Sequence, residues 1–159
     1  MLALLRLQEK KLSVAVQNHS QYLQIKKHIG SMLHDQNKGE RTNKIELFLH
    51  ECAGWIRLLD FFKQENSYLK TRLSIAVDHK IDKDFLNEAE HFQNLFILKD
   101  EFINEIAHDA RVQERKLKEK QLDDKVLKSQ QKLRNEIEHL EKDFTRMKND
   151  FNKQLSAII

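Results

Sequence analysis

Glu-x-x-His occurs three times in this chain, as Glu88–His91, Glu105–His108 and Glu136–His139. On a helix this spacing aims a carboxylate and an imidazole from one face. Carboxylate-bridged di-metal bundles use one copy on each of two helices, with further glutamates from the others. Fewer than one such pair is expected by chance from eight histidines in a chain of this composition. The first two copies lie on one predicted helix, 17 residues or roughly 25 Å apart, so they cannot share a site. Across the next turn, if it centres near residue 122, Glu105 comes level with His139, and His108 with Glu136.

Those four residues are the candidate metal ligands. However, Glu136 and His139 flank the apolar seam of their helix, and Glu105 and His108 flank Ile106. Polar residues beside a seam pair at the bundle surface, as e/g charges do in coiled coils, and a surface ion-pair cluster is the preferred reading. Gly54 and Arg57 should lie at the same level, where Arg57 could meet the carboxylates. No cofactor is expected. Other chemical signatures are missing: there is no glycine-rich phosphate loop, CxxC, HExxH or GxSxG. The single cysteine, Cys52, sits on an apolar seam and reads as a buried, reduced thiol that suits a reducing compartment.

Positioning falls to long helices. The chain of 159 residues has no proline and three glycines, and one third of it is charged. That composition matches coiled coils and long-helix bundles and excludes most loop-rich folds. Ile45, Phe48, Cys52, Trp55, Leu59, Phe62, Leu69, Leu73 and Ala76 keep one heptad frame, broken only at Asn66. Leu133, Ile137, Leu140, Phe144, Met147, Phe151 and Ile158 keep another, interrupted by Gln154. Such a 3.5-residue period keeps a seam facing a partner helix. Between them Phe85, Ala89, Phe92, Phe96, Ile103, Ile106 and Ala110 form one row, widened by Leu95, Leu98 and Phe102, so this helix should touch two neighbours.

The expected fold class is all-α: an antiparallel three-helix bundle, coiled-coil-like, with helices over about 43–77, 84–117 and 126–156. Asn43 with Glu46 makes a capping box; Asp82 or Asp84, and Asp123 or Asp124, cap the later starts. Residues 1–41 form a separate segment, helical in part and uncertain in docking, with Leu2, Leu5, Leu12, Val16 and Leu23 in one stripe and Tyr22, Ile25, Ile29 and Met32 in a shifted one. The frame change and Gly30 suggest a break, and residues 35–41 collect turn formers.

Charge is a weak guide. Residues 1–41 carry a net +4 and residues 42–159 a net −1, with signs interspersed. A nucleic-acid binder should show a one-signed stripe, so nucleic acid is not the expected partner; the basic N-terminal segment supplies only a lower-ranked reading of that kind or of an anionic surface. The opening apolar run is too short to span a bilayer, and a cytoplasmic location is expected. Trp55 is a core residue. Asn66 in an apolar frame is a candidate determinant of register or oligomeric state.

Residues 55–73, 90–109 and 133–155, beginning WIRLLDFFKQ, EHFQNLFILK and LRNEIEHLEK, resemble the three helices of a family of small all-helical bacterial proteins, common in Bacteroidetes. The resemblance covers about residues 42–157 and implies a cytoplasmic helical protein, with no catalytic residues to carry over. The reading that follows is a non-enzymatic module for protein–protein contact, with itself or with a helical partner. Its interaction face would be the strip through Leu58, Phe61 and Tyr68, together with the N-terminal stripe. A metal-binding bundle is the alternative.

Overall fold

The computed structural model describes residues 2–32, 38–79 and 82–158, and every regular element over them is an α-helix. Helix α1 is Leu2–Met32, α2 Lys38–His79, α3 Lys83–Lys118 and α4 Asp124–Ile158. Helix α2 packs against each of the other three, and α3 also packs against α4. Their directions follow from contacts at several levels. Asn66 and Lys63 of α2 reach Phe96 and Asn104 of α3, so those helices are antiparallel. Glu51 and Arg72 of α2 meet Arg134 and Asn152 of α4, so that pair is parallel. This is the up-down-up bundle that three long helices with short turns must form.

The heptad seam of α2 is the core. Ile45, Phe48, Cys52, Trp55, Leu59, Phe62, Leu69 and Leu73 are all buried, and Phe62 packs against Phe144 with ring centroids 4.8 Å apart and planes tilted by 44°. Phe92 and Phe96 of α3 close on Phe151 of α4 at 5.3 and 5.2 Å. In α4 the seam steps from Phe151 to Leu155, leaving Gln154 exposed. A straight helix drifts against a strict heptad, which moves the apolar row by one position there.

Two boundaries differ from expectation. Helix α2 starts at Lys38, so Asn43 is an exposed interior residue and does not cap it; Glu40 sits in the first turn, where a carboxylate suits the helix dipole. Residues 33–37, which include the first part of the expected turn (35–37), lie outside the described residues. Helix α1 continues through Gly30 without a break. Its docking stripe is Ala15, His19 and Tyr22, while Val16 and Ile25, expected on apolar stripes, are exposed. The other residues of those stripes, Leu2, Leu5, Leu12, Ile29 and Met32, have side chains outside the described set; Leu23 is half-buried.

At the last turn Lys120 takes a left-handed φ of 61°, and its amide donates to the Leu117 carbonyl at 2.9 Å. Asp123, one of the two expected caps, accepts from the Val126 amide through its side chain at 2.9 Å. Asp82 precedes α3 in extended backbone without a side-chain cap bond.

Candidate functional site

The three Glu-x-x-His pairs are placed as flanking residues are. Glu88, His91, Glu105, His108 and His139 are exposed, and Glu136 is half-buried with Lys132 Nζ at 3.6 Å. Among the described residues no three His, Cys, Asp or Glu side chains come together in a way that could hold a metal ion. Glu105, His108, Glu136 and His139 are therefore not gathered into a ligand set, because the seams on both sides are filled by Ile106, Ile137 and Leu140. Arg57 does not meet these carboxylates; it is exposed and faces α1 across a cavity.

Asn66 is fully buried, and its Nδ2 donates to the Phe96 carbonyl and to Asp100 Oδ1, both at 2.8 Å. Lys70 closes on the other oxygen of Asp100. The seam asparagine thus ties α2 to α3 within one chain.

Polar groups in the interior also form a ladder between α2 and α4. Glu51, fully buried, accepts from Arg134 Nη2 at 2.8 Å, Arg134 Nε at 3.1 Å and Gln130 Nε2 at 2.7 Å. Two heptads further on, buried Glu65 lies 2.6 Å from Lys148 Nζ. Gln113 of α3 donates to Gln130 Oε1 at 3.0 Å and to the Val126 carbonyl at 2.8 Å. Inside this network Cys52 Sγ lies 3.7 Å from Gln130 Oε1. Burial above all pushes its thiol up to about 12, with Glu51 and Glu114 adding to the rise and the Gln130 hydrogen bond opposing it. At neutral pH Cys52 is a thiol, which is a poor nucleophile.

The middle rung of the ladder is different. One heptad on from Glu51 and Arg134 stand Leu58 and Glu141, a carboxylate with no cation opposite it. Helix α1 supplies a polar group that faces it. His19 Nε2 lies 3.7 Å from Glu141 Oε2, beyond hydrogen-bond reach, and neither His19 Nε2 nor Glu141 Oε1 has a hydrogen-bond partner. Desolvation pushes Glu141 up to about 7, helped by Glu138. Desolvation lowers His19, against the pull of Glu51 and Glu138.

Around this rung α1 lies antiparallel over α2. Tyr22 Oη donates to the Leu47 carbonyl at 2.6 Å and its ring sits 4.8 Å from that of His50. Between the two helices is a cavity of about 630 Å³. Leu58, Phe61, Gly54, Val14, Ala15 and Tyr22 give it an apolar wall, and His19 lies against it. Leu58 is 3% exposed and Phe61 half-buried, and these two of the three positions read as an interaction face line the cavity beneath α1. Tyr68 is half-buried beneath Arg72, whose guanidinium lies 5.9 Å from its ring centroid.

The ladder escaped sequence reasoning, although one signal was available. Glu51 and Glu65 share the spacing of Arg134 and Lys148, and Gln113 and Gln130 continue the seams of Ala110 and Leu133. No protein family, curated protein or solved structure matches this chain. No described helix is long and apolar enough to cross a membrane.

Proposed function

We propose that this chain is a non-enzymatic binding module, in which α2, α3 and α4 form the frame and α1 roofs a binding groove. The observation that carries this reading is the cavity beneath α1. Its volume of about 630 Å³ falls within the roughly 300–1,000 Å³ of small-molecule sites, and its wall is apolar with a few polar groups, as such sites are. The interior chemistry supports it. Buried Glu51 and Glu65 are held by Arg134 and Lys148, and the Cys52 thiol is kept protonated, so these groups serve the packing of the frame.

A neutral apolar dye tests the reading with the full chain. Saturable one-to-one fluorescence enhancement is expected, and Gly54→Leu should remove it. A Cβ at Gly54 meets nothing within 4 Å, so the larger side chain has room to enter the cavity. Non-saturable dye uptake, or saturable uptake unchanged by Gly54→Leu, contradicts the groove as the working surface.

A further inference from the structure

We infer that the cavity between α1 and α2 takes an amphipathic anion, with the acyl or alkyl body against Leu58 and Phe61 and the acidic head at the rim. This inference rests on the binding-module reading above and adds the ligand class.

The charge of the lining carries it. Lys10 and Lys11 come from α1 and Arg57 and His50 from α2, and all four are exposed. No Asp or Glu lines the cavity. Lys10, Lys11 and Arg57 have no ion pair or hydrogen bond among the described residues, so their charges are not neutralised by a bonded carboxylate. Three cations and no carboxylate around one mouth form a local field that concentrates an anion. Lys and Arg stems also lie along apolar surface while their heads stay in water, which suits the boundary between tail and head.

Inside the rim, polarity falls. Leu58 and His19 are buried, and Phe61, Gly54, Ala15 and Tyr22 are half-buried. Gly54 leaves the wall open where any other residue would project into it. A fully charged or sugar-like ligand would leave the Leu58–Phe61 wall uncovered, and a purely apolar one would leave the cations unused. A single acidic head on an apolar chain satisfies both.

Displacement of the neutral dye from the full chain by decanoate, decanol and decyltrimethylammonium, all below micelle formation, tests the inference. Decanoate should compete at least tenfold better than decanol at low salt, and the gap should shrink as salt screens the rim. The ammonium compound should be the weakest. The triple variant Lys10→Gln, Lys11→Gln, Arg57→Gln changes only exposed residues, so it leaves the fold intact and should bring decanoate down to the level of decanol. It also decides the question if Gly54→Leu fails to fold.

Equal competition by decanoate and decanol overturns the anionic class while leaving the binding module standing. Tighter competition by the ammonium compound does the same. Failure of all three to displace a dye that Gly54→Leu excludes overturns the ligand class; failure of the dye itself to bind overturns both readings. Phosphatidylglycerol vesicles separate a membrane headgroup from a free acid. Sedimentation of the chain with vesicles, without displacement by decanoate, overturns the free acid as ligand.

Discussion

Glu141 is the residue whose position matters most, because burial holds its carboxyl at about 7 where α2 offers Leu58 and no cation. An acid whose folded-state pKa is raised favours folding below its ordinary value and loses that contribution as pH rises through the raised one. Between about pH 4.5 and 7 the loss amounts to at most about 3 kcal/mol. His19, lowered by burial, acts in the opposite direction: its contribution is present above its ordinary value of 6.5 and is lost as pH falls. The two offset each other in mild acid, and above pH 6.5 the Glu141 loss runs unopposed. Glu141→Gln should therefore be more stable than the parent at pH 8, by up to about 3 kcal/mol, and close to it near pH 4.5. Denaturant titrations at the two pH values check this, and an equal shift at both would contradict it. None of this was legible at the residue scale, since Glu141 reads as an ordinary helix glutamate until the α2–α4 register sets Leu58 across from it.

At the scale of elements, periodicity located the three long helices because their seams are buried almost without interruption. Starts and stops were less legible. The Asn43–Glu46 spacing suits a capping box, but the helix continues back to Lys38. Good helix formers before a cap can simply extend the helix, and terminal residues carry little energy. The Asp123 cap was legible because a lone apolar row begins at Val126. The stop before it was not, because Lys120 occupies a left-handed position that glycine ordinarily fills. A side chain there costs about 1 kcal/mol, so Lys120→Gly should raise stability by about 0.5–1 kcal/mol. Chemical denaturation should show a higher midpoint at unchanged slope, and a lower midpoint would contradict the left-handed cap. The α3–α4 ladder bonds around Gln113 and Gln130 hold the same turn from inside.

For the whole molecule, α2 is the hub: its seam meets α3 and α4, its Glu51 and Glu65 are clamped by α4, and its Leu58 flank lies under α1. Removing Lys148 would strand the buried Glu65 carboxylate, a change that costs about 3–5 kcal/mol in comparable interiors. The Glu-x-x-His pairs, the most chemical pattern in the sequence, end on outer faces, while the strip at Leu58 and Phe61 becomes a cavity wall. That outcome depends on where α1 docks, and its short stripe of Ala15, His19 and Tyr22 is half polar, so apolar periodicity could not reveal it. Leu98 on α3, 59% exposed, is the most exposed large apolar side chain among the described residues and gives a built-in comparison for where a ligand settles. Backbone amide NMR of the full chain titrated with decanoate tests the groove most directly. The account predicts shifts centred on Gly54, Arg57 and Phe61 of α2 and on residues 14–22 of α1, with Leu98 and its neighbours unmoved. Shifts centred on Ile97 and Leu98, or spread evenly along the chain, would contradict it.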